Sequence, residues 1–247
     1  MRCRNYAHRG FSGEYPENTL LAFEKALEVG CEGIEFDVHF SKDGELVIIH
    51  DEAVDRTSDH KGLVRDYTYE ELCQMNFAYP AKYGDKYGFQ RIPTLREYLE
   101  LVRDQNILTN IELKTGIYPY PGIEKAVYDM LKAFHLEDRV IISSFNHHSV
   151  MRMKALDPEI PCGFLSETWI LEPDQYVSSH HVEAYHPGFY MLNDEEAADL
   201  KAHGCQINTW TVNEVADIQN MIHLDVDGII SNYPDRVKEQ LKLAGLR

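Results

Sequence analysis

No stretch of the 247 residues approaches the ~18 consecutive apolar residues of a membrane-spanning helix. The opening Met1-Arg2-Cys3-Arg4-Asn5-Tyr6 also lacks the apolar run of a secretory signal. Cysteine is sparse: Cys3, Cys31, Cys73, Cys162 and Cys205 are odd in number, widely scattered and form no Cys-x-x-Cys. That spacing argues against a disulfide framework and a structural zinc site, and a cytoplasmic protein with reduced thiols is expected. Positive charge is in short supply, with 24 Lys+Arg against 41 Asp+Glu and a net charge of −17. So acidic a chain repels nucleic-acid backbones and anionic bilayers. Neither a nucleic-acid partner nor stable membrane insertion is expected, and a phosphate-bearing ligand would have to be held by local cations. No G-x-G-x-x-G follows the first β-rich run, so an open dinucleotide-binding sheet lacks its main signature. No long linker, internal repeat or low-complexity tract divides residues 1–247, which read as one domain.

What is present is an alternation. Short β-rich runs recur at Asn5–His8, Gly33–Asp37, Leu108–Leu113, Val140–Ser144, Cys162–Leu165, Val182–His186, Gln206–Trp210 and Gly228–Ser231. Helical spacing separates them: Leu20, Phe23, Ala26 and Leu27 after the cap candidates Asn18-Thr19 and before Gly30, then 122–134, 147–156, 194–203 and 213–223. His147-His148 open one of these helices, His180-His181 fall in a polar loop, and a last helix follows Pro234. Eight β/α units in ~250 residues predict an α/β fold, a closed (β/α)8 TIM barrel. One segment breaks the pattern. Residues 37–51 leave no room for a helix, and Lys42-Asp43-Gly44 is a turn signal, so a β-hairpin is expected. If Ser41 faces Gly44, Asp37 lies opposite Ile48 and Glu35 opposite His50. Residues 51–94 then form a small insertion over one end of the barrel, with a capping-box candidate at Thr68 and Glu71 and a Tyr/Gly-rich stretch at 79–89.

Barrel function sits at the C-terminal ends of the strands, and the polar side chains concentrate there. Glu35 and Asp37 share one side of a strand, and Glu112 ends the neighbouring one. Three converging carboxylates call for a hard divalent cation, Mg²⁺ or Ca²⁺. His8 and His50 suit acid–base chemistry near neutral pH. Arg9 is a bidentate anion ligand and Lys114 a point charge. Phe145, His186 and Trp210 are candidate walls of a substrate pocket, and Glu17 is at least part of a helix cap.

At these residues the sequence resembles the glycerophosphodiester phosphodiesterase family. The resemblance runs through Ala7-His8-Arg9-Gly10, Pro16-Glu17-Asn18-Thr19, Ile34-Glu35-Phe36-Asp37-Val38, Val47–Asp51, Asp55-Arg56-Thr57, Ile92-Pro93-Thr94-Leu95, Ile111-Glu112-Leu113-Lys114, Ser144-Phe145, Trp210-Thr211-Val212-Asn213 and Val226-Asp227-Gly228-Ile229-Ile230. The short 51–94 segment is similar to compact cytoplasmic members. The resemblance implies a (β/α)8 barrel, one divalent cation, and hydrolysis of a small glycerophosphodiester to glycerol 3-phosphate and an alcohol. It implies His8 and His50 as catalytic, Glu35, Asp37 and Glu112 as metal ligands, and Arg9 and Lys114 near the phosphate. Lysophospholipase D activity and a non-catalytic phosphodiester-binding barrel are the alternatives, and no oligomeric state is assigned. Three positions depart from the family pattern: His39 for a frequent Gln, Asn232 for a frequent Asp, and the charged run Ser58–Gly62. None is expected to touch the catalytic set.

Overall fold

The computed structural model describes residues 3–246; Met1, Arg2 and Arg247, the outer ends of the domain read from the sequence, lie outside them. In chain order the elements are β1 (Arg4–His8), α1 (Leu20–Val29), β2 (Gly33–Phe40), β3 (Leu46–Ile48), α2 (Tyr69–Leu72), α3 (Pro80–Tyr83), α4 (Leu95–Val102), β4 (Leu108–Leu113) and α5 (Ile123–Phe134). There follow β5 (Val140–Ser144), α6 (His147–Leu156), β6 (Cys162–Ser166), α7 (Pro173–Ser179), β7 (Ala184–Pro187), α8 (Asp194–Ala202), β8 (Gln206–Thr209), α9 (Val215–His223), β9 (Gly228–Ser231) and α10 (Pro234–Leu243). The strand order β1-β9-β8-β7-β6-β5-β4-β2, with β1 pairing back onto β2, closes eight parallel strands into a barrel. The expected (β/α)8 TIM barrel is therefore the fold. No disulfide joins the cysteines of the described residues.

Local chemistry sets the element ends. Thr19, not Asn18, caps α1: its Oγ1 accepts from the Ala22 N–H at 3.2 Å, and Gly30, at φ 79°, ends the helix. Two helices that the periodicity did not mark, α4 and α7, fill the remaining crossovers. Strand β2 is buried along nearly its whole length, as a parallel strand covered on both faces should be. The barrel interior holds large polar groups, so facing strands give way to glycine. A Cβ on Gly163 would lie 2.6 Å from His186 Nε2, and one on Gly33 would meet the Tyr6 ring at 2.1 Å.

Beyond the barrel β2 turns back into β3. The pairs are Val38 with Ile48, His39 with Val47 and Phe40 with Leu46, one residue off the register expected from Ser41 facing Gly44. Ser41 instead pairs with Glu45, because Gly44 takes φ 82° and lengthens the turn to three residues. Asp37 consequently faces Ile49, whose N–H donates to the Asp37 carbonyl at 3.1 Å. Residues 51–94 pack on their own cluster of Val54, Val64, Leu72, Met75, Phe77 and Ile92, joined to Val47 and Ile49 of the hairpin. The tyrosines of 79–89 grip the β1–α1 loop: Tyr83 Oη lies 3.3 Å from the Tyr15 carbonyl, and the Tyr15 and Tyr87 rings are 5.5 Å apart.

Candidate active site

Strand register builds the site. Parallel pairing sets His8 beside Glu35 and Asp37 beside Glu112. Glu35, Asp37 and Glu112 are all buried, and one oxygen from each falls within 4.8 Å of the other two. Burial and the neighbouring carboxylates push Glu35 well above the ordinary carboxylate range, and burial raises Glu112 against the pull of Lys114. Burial also opposes ionisation of Asp37. The charges of His50, Arg9 and Lys114 and a 2.9 Å hydrogen bond from Asn18 nonetheless hold it low. Asp37 Oδ1 is buried with no hydrogen-bond partner. An all-oxygen trio under mutual repulsion, with one oxygen unsatisfied, fits a hard divalent cation.

The two histidines stand in different surroundings. His8 Nδ1–H donates to Asn232 Oδ1 at 2.6 Å, which leaves Nε2 as the lone-pair nitrogen, 3.8 Å from Glu35 Oε2. Burial first, and then the Arg9 cation, push the His8 imidazolium down to about 3, so this ring is neutral, with the lone pair of Nε2 free. His50 Nδ1–H donates instead to the Asp51 carboxylate at 2.6 Å, an anion that compensates the charge of a proton-carrying ring. Asp51 is bound by Arg56 through Nε at 2.7 Å and a second guanidinium nitrogen at 3.0 Å. Arg56 also grips both oxygens of Glu17 at 2.8 Å, and Glu17 accepts from Arg9 at 2.8 Å. Arg9 Nε lies 3.5 Å from Asp37. A continuous ionic chain thus runs from His50 through Asp51, Arg56, Glu17 and Arg9 to the carboxylate trio. Arg9 is locked by its backbone too, at φ 56° with its N–H 2.7 Å from the Glu35 carbonyl, a left-handed conformation that costs about 1–2 kcal/mol for a non-glycine residue.

These groups face a small recess lined by His8, Arg9, Glu35, His50 and Glu112, which continues into an outer cavity of about 600 Å³. Phe145 and Trp210 wall both, their rings perpendicular and 5.3 Å apart. Lys114 lines the outer cavity and pairs with Glu112 at 2.9 Å. His186 is not brought to the mouth. Its ring is fully buried beside Asn208, 3.0 Å away, and its contribution is a backbone carbonyl that accepts from Trp210 Nε1 at 2.8 Å. The expectation that the unusual positions stand clear of the catalytic set is also corrected. Asn232 holds His8, and His39 Nε2 lies 3.1 Å from the His50 carbonyl oxygen. Asn18, Asp51, Arg56 and Asn232 are site residues to which sequence reasoning assigned no role in the site: Asn18 stood as a cap candidate, Asp51 beside His50 on the hairpin's return, Arg56 in a motif and Asn232 as a departure from the family pattern.

The model of the glycerophosphoryl diester phosphodiesterase family matches residues 8–236. This chain belongs to that family. It is 41% identical over 99% of its length to a glycerophosphodiester phosphodiesterase of Caldanaerobacter subterraneus subsp. tengcongensis, all of which is covered. It is 44% identical over 96% of its length to one of Bacillus altitudinis, of which 98% is covered. Among solved structures it resembles an Oleispira antarctica phosphodiesterase in complex with the product sn-glycerol-3-phosphate. That resemblance has a TM-score of 0.89 and 30% identity, and covers 98% of this chain and 97% of that one. Like this phosphodiesterase family's other barrels, the chain is a phosphoric diester hydrolase by membership. Among the described residues no helix is long and apolar enough to cross a membrane.

Proposed function

We propose that the protein hydrolyses glycerophosphodiesters to glycerol 3-phosphate and an alcohol, with His8 as general base and His50 as general acid. The observation that carries this is the pairing of the two imidazoles. Both line one recess, yet one is bound to a neutral carboxamide and the other to a carboxylate. A ring whose Nδ1–H is held by a carboxamide offers its Nε2 lone pair as base, and a ring held by a carboxylate is compensated when it carries the proton. Glu35, Asp37 and Glu112 would hold the divalent cation, Mg²⁺ or Ca²⁺. When bound, it supplies positive charge to the phosphoryl oxygens as a Lewis acid.

In the proposed sequence His8 Nε2 takes the proton of the glycerol 2-hydroxyl, and that oxygen attacks phosphorus. The bond from phosphorus to the alcohol oxygen breaks with its electron pair, and His50 protonates the departing alkoxide. Water then opens the cyclic phosphate, His50 accepting its proton and His8 returning one to the 2-oxygen. Arg9 and Lys114 orient and neutralise the phosphoryl oxygens, and the internal nucleophile gains from proximity. The tyrosines of 79–89 lie against the β1–α1 loop and not on the cavity wall, so they do not line the acyl channel that a lysophospholipase D would need.

The test is release of glycerol 3-phosphate before and after chelation. His8→Ala and His50→Ala should each lower kcat by roughly 10²–10⁴-fold while leaving cation binding measurable. Full turnover in either variant overturns the assignment. A diester without the 2-hydroxyl should resist cleavage, and undiminished cleavage would replace the cyclic route with direct attack by water.

A further inference from the structure

His50 stands just beyond the regular hairpin. Strand β3 ends at Ile48, and the Ile49 N–H donates to the Asp37 carbonyl at 3.1 Å. Asp51 holds the His50 ring, but both residues lie on the same return and move with its backbone. That backbone is held from β2. His39 Nε2 lies 3.1 Å from the His50 carbonyl oxygen. A carbonyl only accepts, so Nε2 carries the proton. The His39 ring is fully buried, and its partners are that carbonyl and the Tyr120 hydroxyl, both uncharged. The ring is therefore neutral, and its Nδ1 lone pair accepts from the Tyr120 hydroxyl at 3.1 Å. Tyr120 is itself buried, in the β4–α5 loop between Pro119 and Pro121, with its ring edge-on to His39 at 5.6 Å and to Phe40 at 6.2 Å. Glu35, Asp37 and His39 alternate along β2 and share one side of it. The strand that carries two of the three carboxylates thus also carries the anchor of the His50 backbone. His39 lines neither the recess nor the outer cavity, so any part it has in turnover is exerted through His50.

Resting on the reading of His50 as general acid, we propose that His39 is a positioning residue for the reaction. The chain Tyr120–His39–His50 sets the distance of the acid from the strand that carries Glu35 and Asp37, so that the imidazole meets the departing alcohol oxygen. A glutamine at this position can make the same two bonds, its amide N–H donating to the His50 carbonyl and its amide oxygen accepting from Tyr120. A hydrocarbon side chain can make neither.

The experiment compares two diesters of glycerol 3-phosphate, the ethyl and the p-nitrophenyl ester, using the full chain with saturating divalent cation. Ethoxide needs a proton to leave, whereas p-nitrophenolate leaves without one, so only the first depends on a well-placed acid. The alcohol released in a single turnover reads the step that His50 protonates, apart from the later ring opening. His39→Leu should slow ethanol release by about 10²-fold and p-nitrophenol release by less than about threefold. His39→Gln should stay within about threefold of wild type on both esters. Tyr120→Phe keeps the buried ring and loses one hydrogen bond; it should slow ethanol release by about fivefold and spare the p-nitrophenyl ester, and it carries the test if His39→Leu does not fold. In a His50→Ala background, His39→Leu should cost nothing further. Equal losses on both esters would mark His39 as merely structural and overturn the proposal, as would no loss on either, a failure of glutamine to restore the ethyl rate, or a further loss in the His50→Ala background. His50→Ala, measured alongside, should itself lose the ethyl ester and spare the other. If it slows both alike, the acid reading of His50 falls and this one with it, an outcome distinct from a selective His50→Ala beside an unselective His39→Leu.

Discussion

Asn232 and Glu17 show how much a single side chain outside the reacting pair can carry. Asn232 Oδ1 fixes the His8 tautomer, and it is itself placed by Ser12 Oγ at 3.0 Å and by its own N–H, which donates to Asn213 Oδ1 at 3.0 Å. Replacing it with leucine removes the acceptor for His8 Nδ1–H and frees the ring to turn. We expect kcat to fall by about 10²-fold with KM little changed, and Asn232→Asp, which restores an acceptor, to recover most of the loss. Steady-state kinetics of the two variants check this; a KM-only effect would refute it. Glu17 works through charge. Burial opposes its ionisation, yet Arg56 and Arg9 outweigh that and hold it down to about 2. A carboxyl whose folded pKa is depressed adds stability above its unfolded value of ~4.5. That stability drains away as pH falls toward 2. Glu17→Gln should therefore cost about 3 kcal/mol at pH 7, and the gap to wild type in denaturant unfolding should narrow steadily below pH 4.5. A gap that stays constant from pH 7 to pH 3 would show that charge is not the cause. The sequence placed His8, Glu35, Asp37, His50 and Glu112 at one mouth because each falls near the C-terminal end of an expected strand or at the end of the hairpin's return arm. It could not pair His8 with Asn232, which is 224 residues away and meets it only because β9 closes the barrel against β1.

At the scale of elements, α4 is the clearest case of a helix specified by its first turn. Thr94 Oγ1 accepts from the Glu97 N–H at 3.1 Å, and Glu97 returns the bond to the Thr94 N–H at 2.9 Å, satisfying two of the orphan donors of the helix start. Thr94→Ala should lower stability by about 1 kcal/mol and leave kcat unchanged, since α4 lies outside the barrel mouth. Denaturant midpoints and turnover on the same preparation would check both halves. Its signal lay in the capping box Thr94-x-x-Glu97, with Leu95, Tyr98, Leu99 and Val102 on one buried face, but eight residues are too few for the period to mark it. Helix α7 gave no signal at all. It is seven residues long and starts behind Pro173 with Asp174, Gln175, Ser178 and Ser179, too short and too polar to show a period. The hairpin failed differently. Its two arms and its turn were legible, but the turn's residue count depends on Gly44 adopting a left-handed conformation. One residue of turn length shifts the whole cross-strand pairing.

At the scale of the whole molecule, the barrel concentrates repulsion at its catalytic end and leaves a bound cation to relieve it. Eight parallel strands deliver three buried carboxylates to within 4.8 Å of one another, in a chain already carrying a net charge of −17. Lys114 at 2.9 Å from Glu112 and 3.8 Å from Asp37, and Arg9 at 3.5 Å from Asp37, offset only part of this. A divalent ion that binds the folded barrel and not the unfolded chain stabilises by mass action, about 2.7 kcal/mol at a hundred times its dissociation constant. For a chain of this size that corresponds to a rise in Tm of roughly 5–10 °C. Because burial and neighbouring carboxylates raise Glu35 and Glu112, the ion must displace protons held there, so its affinity should weaken as pH is lowered from neutrality. Thermal unfolding after chelation, followed by titration with Mg²⁺ or Ca²⁺ at several pH values, measures all of this without any substrate. Asp37→Asn should abolish the cation-dependent rise and lower the chelated Tm as well, since Arg9, Lys114 and Asn18 hold the Asp37 carboxylate ionised in the folded barrel. If neither ion moves the wild-type Tm, or if the rise survives in Asp37→Asn, these three carboxylates are not where the cation binds.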